Sequence, residues 1–149
     1  MTETLGASEI RQLAQRLDLR PSKSLGQNFV VDGNTCRKIV RLAEVDGSDV
    51  VLEIGPGLGS LTLALLHEVR EVVAIEIDNR LAKALPDTVA AHLPDKAANL
   101  SVINDDAMNV TELMTAVAPT ALVANLPYNI SVPVLLHTLE HFPSITRGI

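Results

Sequence analysis

The sequence predicts an α/β protein with a parallel, doubly wound sheet. Two observations lead to this prediction: short, almost wholly apolar runs recur from Asp49 onwards, and stretches long enough for a crossover helix separate them. The predicted strands are 50–54, 72–77, 100–103 and 121–124, and the predicted helices between them are 60–66, 79–91 and 110–117. Ligands bind such sheets beyond the carboxyl ends of the strands. Each candidate site residue is therefore expected to follow an apolar run directly.

The first 48 residues are predicted to form a helical leader with basic residues. Ile10, Leu13 and Leu17 lie at helical spacing, and a second helix is predicted over 34–43. The remaining residues, 49–149, are predicted to form the partial ligand-binding α/β domain.

Charge is distributed unevenly along the chain, although the net value is −6 at pH 7. Up to Arg41 there are seven basic and four acidic side chains, whereas the remainder has five basic and fourteen acidic ones. A basic leader beside an acidic body suits a protein that contacts phosphate at one end. A solvated charged face is the simpler alternative.

Composition bounds the class of protein. With 149 residues, 47% of them hydrophobic, the chain is long enough for one buried core. Apolar runs of the roughly 18 residues that span a bilayer are absent, as is the apolar block of a signal peptide, so a cytoplasmic location is expected. The lone Cys36 excludes a disulfide framework and is predicted to be a packed thiol.

A glycine-rich loop follows the first predicted strand and contains Gly55, Gly57 and Gly59. Glycines let the backbone turn tightly and approach a ligand, which makes Gly55 and Gly57 candidate cofactor-binding residues. The third glycine comes one residue earlier than in the dinucleotide fingerprint, where Ser60 stands instead. Glu53 would repel a pyrophosphate but favour an ammonium or sulfonium. The loop therefore favours S-adenosyl-L-methionine over NAD, with a purely structural turn as the alternative.

Acidic residues end the second and third predicted strands. Glu76 comes about twenty residues after the glycine loop, where a carboxylate can accept hydrogen bonds from both ribose hydroxyls. Asp105 and Asp106 follow the third strand, and either carboxylate can accept the exocyclic amine of an adenine. An ordinary strand-end carboxylate and a helix cap are the respective alternatives.

The tetrapeptide Asn125-Leu126-Pro127-Tyr128 follows the fourth predicted strand. The exocyclic amine of adenine is a poor nucleophile, so an enzyme must aim acceptors at both of its N–H bonds. The Asn125 side-chain oxygen and the Leu126 carbonyl are candidates for these acceptors. Pro127 would hold Leu126 in extended geometry, and Tyr128 is suited to stack on a flipped base. These residues predict a site of amine methylation.

A structural alternative exists for the same tetrapeptide. In this alternative, the segment is a proline turn that leads into a helix over 132–142, with Ser131 as the cap and Pro133 in the first turn.

Taken together, these motifs resemble the ribosomal RNA adenine N6,N6-dimethyltransferase family, over a match from about Lys23 to the end. The resemblance implies a Rossmann-like S-adenosylmethionine-dependent methyltransferase fold. It further implies that Asn28, Val30, Gly55, Glu76, Asp106 and Asn125 contact the cofactor and that Asn125, Leu126 and Tyr128 handle the target adenine. The matching motifs are Leu25-Gly26-Gln27-Asn28-Phe29, the loop over 53–59, Glu76, Asp106-Ala107 and the segment NLPYNI over 125–130.

Within the family, the segments EIGPGLG and NLPYNIS are most similar to the small-subunit branch. The resemblance implies dimethylation of two adjacent adenosines near the 3′ end of 16S rRNA within the small ribosomal subunit. No membrane contact and no metal are expected, and the chain is expected to be monomeric. The alternatives are 23S rRNA dimethylation, a mitochondrial transcription factor related to the family, and a cofactor-binding fragment without turnover.

The resemblance also predicts a shortened fold. Family members continue through three more strands and a small helical domain, so the sheet is expected to stop after the fourth strand and its following helix. The activity of the chain by itself depends on those missing parts.

Two other enzyme classes match parts of the sequence less well. The segment His137-Thr138-Leu139-Glu140-His141 matches a zinc peptidase pattern, but a third ligand is not evident after it. A cytosine methyltransferase needs a cysteine nucleophile near the base, whereas Cys36 lies in the leader. Both are disfavoured.

Overall fold

A computed structural model describes residues 12, 33–112, 118–124 and 128–148, without the side chains of 33 and 128–130. The helices are α1 (Gly33–Leu42), α2 (Ser60–Glu68), α3 (Asn79–His92) and α4 (Tyr128–His141). The strands are β1 (Val50–Ile54), β2 (Glu71–Glu76), β3 (Leu100–Asn104), β4 (Ala121–Ala124) and β5 (Arg147–Gly148). Short 3₁₀ helices span Pro94–Asn99 and Ala107–Asn109.

The strands form one parallel sheet in the order β3-β2-β1-β4-β5, which confirms the predicted α/β class. Strand order reverses between β1 and β4, and this switch point is where doubly wound sheets bind ligands. Two predicted strands coincide with β1 and β4, and β5 extends the predicted sheet by two residues beside β4. The strand predicted over 72–77 ends one residue early, because Glu76 makes the last pair with Asn104.

The two faces of the sheet carry separate apolar cores. The first face bears Val51, Ala74 and Val123 and packs against α1, α2 and α3. The second face bears Leu52 and Ile75 and packs against α4 and the segment after it. Alternate residues of each strand thus enter different cores, which explains why the strands are apolar throughout.

Helix α1 belongs to the first core. Cys36 is fully buried there, which confirms the packed thiol, and Val40 lies in the same cluster. The predicted domain boundary after residue 48 stays a prediction. The leading helix predicted from Ile10, Leu13 and Leu17 lies outside the described residues.

The helix predicted over 110–117 is wrong at its start. Asp106 instead caps a short 3₁₀ turn, with its Oδ1 accepting the Met108 N–H at 2.9 Å. Val110 follows in extended conformation and is buried in the second core, and the chain stays irregular through Glu112. Residues 113–117 lie outside the described part.

Helix α4 begins at Tyr128, four residues before the predicted start. Ser131 therefore lies inside the helix, and the alternative that made it the cap is wrong. Pro133 is also internal, where it supplies no N–H to the carbonyl of residue 129. The helix continues past it because Val134 is buried in the second core and Thr138 Oγ1 donates to the Val134 carbonyl at 2.8 Å.

A polar cluster holds the amino ends of β1, β4 and β5 together. Asp49 is buried and accepts a hydrogen bond from Thr120 Oγ1 at 2.6 Å. It also forms an ion pair with Arg147, whose Nη1 lies 3.2 Å from its carboxylate. The same Arg147 nitrogen donates to the Glu44 carbonyl at 2.7 Å. These contacts fix the strands at the edge opposite to the predicted ligand site.

Helices long and apolar enough to cross a membrane do not occur in the described part of the chain.

Candidate functional site

The glycine-rich loop at the carboxyl end of β1 adopts the backbone conformations that glycine permits. Gly55, Gly57 and Gly59 have φ values of 74°, 59° and 102°. Other residues rarely adopt this region. The Gly55 N–H donates to the Ile75 carbonyl at 3.0 Å, which ties the loop to the neighbouring strand.

Gly59 has a second reason to be glycine. A Cβ at this position would lie 2.8 Å from Leu85 Cδ1 of α3. Gly59 also precedes the first residue of α2. The third glycine, which comes one residue early for a dinucleotide fingerprint, therefore permits close packing of the loop against a helix.

Glu76 lies at the end of β2 with its carboxylate turned toward this loop. Its Oε1 accepts the Gly57 N–H at 3.1 Å, and its Oε2 accepts the Asp78 N–H at 3.0 Å. The side chain is buried, and this burial raises its pKa, while the two N–H groups partly oppose the rise. Each carboxylate oxygen has a further lone pair. Glu76 is thus positioned by the loop and still able to accept a hydroxyl at each oxygen.

Glu53 lies deeper, two residues before Gly55, and is only 1% exposed. Its Oε1 accepts a hydrogen bond from Thr62 Oγ1 of α2 at 2.5 Å. Its Oε2 is buried without a hydrogen-bond partner among the described residues. Burial raises the pKa of Glu53 to about 7, with a smaller rise from the nearby Glu76 and an opposing effect of Thr62.

The two aspartates after β3 have different surroundings. Asp105 is exposed, and its Oδ1 accepts from the Asp106 N–H at 2.7 Å and from Asn109 Nδ2 at 3.1 Å. Asp106 is half-buried at the sheet edge and uses Oδ1 to cap the 3₁₀ turn. Among the described residues, Asp106 Oδ2 makes no hydrogen bond. This geometry leaves Asp106 an oxygen for a ligand.

Asn104 joins the ends of β2 and β3. Its side-chain amide donates to the Glu76 carbonyl at 3.0 Å, and the Asp105 N–H donates to the same carbonyl at 3.1 Å. These bonds fix Glu76 and Asp106 along one edge of the sheet. The sequence prediction did not include Asn104, and its place directly before the two aspartates was the available signal.

Ile77 was also missed. It was predicted as the last strand residue, but it lies beyond the last pair and is 68% exposed. Its carbonyl accepts a hydrogen bond from Asn104 Nδ2 at 3.3 Å, so Ile77 lies beside the end of β3. An exposed apolar side chain between two acidic strand ends offers a flat surface to an aromatic ring.

Several predicted site residues lie outside the described part of the chain, namely Asn28, Val30, Asn125 and Leu126. Tyr128 is the first residue of α4, and only its backbone is described. Strand β4 ends at Ala124 opposite Ile54, so the chain leaves β4 at the same level as the glycine loop.

The histidine pattern in α4 has a structural explanation. His137 Nε2 lies 2.9 Å from the Val110 carbonyl, and His141 Nδ1 lies 2.9 Å from the His137 carbonyl. Both carbonyls accept, so each of these ring nitrogens carries a proton and is not available to a metal. In the described ranges, groups of three or more His, Cys, Asp or Glu side chains that could hold a metal ion were not found.

Fold and edge chemistry together define a class: a Rossmann-like α/β protein with a glycine loop at the switch point and a carboxylate at the end of β2. The sequence profile of the family described as "Ribosomal RNA adenine dimethylase" matches residues 19–147. The chain belongs to this family of methyltransferases, which confirms the resemblance seen in its motifs.

Individual relatives agree with the family. The chain is 61% identical over 145 residues to the Ribosomal RNA small subunit methyltransferase A of Streptomyces griseus, covering 97% of this chain and 50% of that protein. The crystal structure of the 23S rRNA methyltransferase ErmE is 35% identical with a TM-score of 0.68, covering 81% of this chain and 46% of that one. A dimethyladenosine transferase from Plasmodium falciparum is 31% identical with a TM-score of 0.65, covering 78% and 40%. The chain spans about half the length of the curated relatives it matches.

Proposed function

We propose that this chain carries the S-adenosylmethionine-binding part of an enzyme that dimethylates two adjacent adenosines near the 3′ end of 16S rRNA. The observation that carries the proposal is the contact between Glu76 and the Gly57 N–H at the switch point of the sheet. The small-subunit assignment is supported by the relatives named Ribosomal RNA small subunit methyltransferase A, which are 56% to 61% identical to this chain. The same proposal makes rRNA of the small ribosomal subunit the partner.

The edge residues fit the chemistry of S-adenosylmethionine. Glu76 offers one further acceptor at each oxygen to the two ribose hydroxyls, and Asp106 Oδ2 is available to the adenine amine. Ile77 follows Glu76 directly and offers an exposed apolar side chain suited to the purine ring. Gly55 and Gly57 allow close approach of the backbone, and Asn28, Val30 and Asn125 complete the proposed cofactor set.

An excess of negative charge at this edge suits a cationic cofactor. Glu76 ends β2, and Asp106 follows the adjacent strand β3. A pyrophosphate would be repelled by these carboxylates, whereas a sulfonium is attracted. When bound, S-adenosylmethionine supplies an electrophilic methyl group.

The target adenine is proposed to lie against the segment that follows β4. There the Asn125 side-chain oxygen and the Leu126 carbonyl accept hydrogen bonds from the two N–H groups of the amine, and Tyr128 stacks on the base. Because β4 pairs with β1, this segment and the glycine loop leave the same edge of the sheet. That arrangement brings the amine and the methyl donor together, which is the main requirement for transfer.

A second candidate function is cofactor binding without turnover. Methylation of 23S rRNA is the other alternative, and the likeness to ErmE supports it to a lesser degree because the identity is 35%. The cytoplasmic location, the monomeric state and the independence from metal stay predictions.

Calorimetry with S-adenosylmethionine tests the cofactor site, beside labelled methyl transfer to small subunits that lack the modification. Binding with transfer supports the enzyme, and binding without transfer supports the second candidate. A folded sample that does not bind contradicts the proposal.

A matched pair of variants locates the adenine contact. Asp106→Asn is expected to weaken S-adenosylmethionine binding about tenfold, because it removes a charge-assisted hydrogen bond worth about 1.5 kcal/mol. Asp105→Asn, one residue away and exposed, should leave the affinity unchanged. Equal effects of the two substitutions, measured by calorimetry, would contradict the assignment.

A further inference from the structure

Glu53 and Glu76 lie in one row beneath the glycine loop. Glu53 of β1 lies opposite Ala74 of β2, and Glu76 is two residues further along β2 than Ala74. Both carboxylates therefore project from the first face of the sheet, Glu53 behind and Glu76 in front. The row points from the interior toward the edge where the cofactor is proposed to bind.

The surroundings of Glu53 do not balance a negative charge. Helix α2 contributes the Thr62 hydroxyl, β2 contributes Glu76, and the residue opposite on β4 is Val123. The described residues place no cation against the carboxyl group, and Oε2 has no hydrogen-bond partner among them. An ionised carboxylate in this position would be buried, would have a hydrogen bond at only one of its oxygens and would lie next to a like charge. Such an arrangement is costly in free energy.

A proton removes that cost in the free protein. Burial together with Glu76 raises the pKa of Glu53 to about 7, so the group is largely neutral in slightly acidic solution. A cation at the glycine loop has the opposite effect, because opposite charges attract strongly across a poorly screened interior.

We propose that Glu53 is a proton site linked to cofactor binding: it is neutral when the loop is empty and releases its proton to solvent when the cationic cofactor binds. The inference rests on the proposed S-adenosylmethionine site. It assigns Glu53 a positioning role, in which its charge favours the bound sulfonium or ammonium from behind the loop. It does not require direct contact with the ligand.

The linkage has a defined sign. Since the bound protein holds fewer protons than the free protein, affinity for S-adenosylmethionine rises with pH. Below neutral pH the affinity increases by at most about tenfold per pH unit. Above about pH 7.5 it levels off, because Glu53 is then ionised in both the free and the bound protein.

Calorimetric titrations at about pH 6.5 in two buffers of different protonation enthalpy test the proposal. We expect release of roughly 0.7 proton per S-adenosylmethionine bound to the unmodified chain. Glu53→Gln keeps an acceptor for Thr62 and should abolish the release, whereas Asp105→Asn should preserve it. S-Adenosylhomocysteine, which lacks the sulfonium but keeps the ammonium, shows which of the two cations drives the release.

The outcomes separate the two proposals. Binding with the same enthalpy in both buffers overturns the proton linkage but leaves the cofactor site intact. Release that persists in a folded Glu53→Gln variant also overturns it and assigns the proton to another group, with Glu76 as the nearest. Failure to bind overturns the proposed function and this inference together.

A second measurement does not depend on any variant. In protein labelled at glutamate carboxyl carbons, the Glu53 signal should titrate near neutral pH without cofactor and at lower pH with it. A signal that shows an ionised carboxylate at about pH 5.5 in the free protein contradicts the proposal.

Discussion

The two faces of the sheet differ in how completely they are covered. The first face lies under three helices and is closed, and even Glu53 is only 1% exposed there. The second face lies under α4, which leaves several large apolar side chains exposed, and a groove of about 450 Å³, lined in part by Leu135 and Leu139, opens between α4 and the strands β4 and β5. These exposed side chains are Val132, Leu135, Leu136 and Leu139.

The two faces therefore contribute differently to the stability of the fold and to ligand binding. Burial of apolar surface stabilises the fold mainly through the first face, because its side chains are removed from water more completely. The same closed face contains the buried carboxyl groups of Glu53 and Glu76, whose ionisation carries a free-energy cost that a cationic ligand can offset. The second face contributes less burial and presents exposed apolar side chains along α4, while Ile77 is exposed at the ligand edge of the sheet.

The largest expected effect comes from truncating matched leucines on the two faces. Leu85→Ala in α3 should lower the free energy of unfolding by about 2–5 kcal/mol, because it leaves a cavity in the first core. Leu136→Ala in α4, where the side chain is 63% exposed, should change it by less than about 0.5 kcal/mol. Urea denaturation measures both. Similar losses for the two variants would remove the distinction between the faces.

The second prediction concerns the dependence of stability on pH without cofactor. The folded state raises the pKa of Glu53 from 4.5 to about 7, so it binds this proton more tightly than the unfolded state does. The stabilising contribution is therefore complete below the unfolded pKa and is lost as pH rises through 7. From about pH 5 to pH 8 we expect a loss of about 2–3 kcal/mol in the free energy of unfolding.

The Glu53→Gln variant is the control for that loss. It should flatten most of the slope, and the remainder is expected from Glu76, whose pKa is raised in the same direction. Denaturation at several pH values provides the measurement. An unchanged slope in the variant would show that Glu53 does not carry the effect.

The smallest expected effect is at Ile77, on the ligand edge of the sheet. Ile77→Ser should weaken S-adenosylmethionine binding about fivefold by removing part of an apolar surface, an effect on the order of 1 kcal/mol. Stability should hardly change, because the side chain is 68% exposed in the free protein. Calorimetry and denaturation of the same sample distinguish the two quantities. A loss of stability without a loss of affinity would refute the proposed contact.

Much of the fold was predictable because strands buried on both faces have a simple pattern. The strands from Val50 and from Ala121 are apolar at every position or nearly so, and both were found at the predicted residues. The errors occurred where tertiary contacts override local pattern. Val110 looked like the start of a helix, but burial in the second core keeps it extended. Tyr128 looked like loop, but α4 begins there.

The positions of the candidate site residues could be predicted from the sequence, but their hydrogen-bond partners could not. Gly55 and Asp106 follow a strand and Glu76 ends one, and the rule that ligands lie at carboxyl ends selects all three as candidates. The hydrogen bond of Glu53 with Thr62 joins β1 to α2 across the glycine loop, and strand periodicity carries no information about it. The choice between Asp105 and Asp106 likewise depends on which oxygen the 3₁₀ turn occupies.

The hydrogen bond between the Gly57 N–H and Glu76 has a consequence for discrimination among nucleotides. A ribose that binds Glu76 must donate its hydroxyl protons to oxygens already held in place by the loop and by the Asp78 N–H. A sugar with a phosphate on its 2′ or 3′ oxygen has no such proton there and brings negative charge against a buried carboxylate. Such phosphorylated sugars are therefore expected to be excluded from this edge of the sheet.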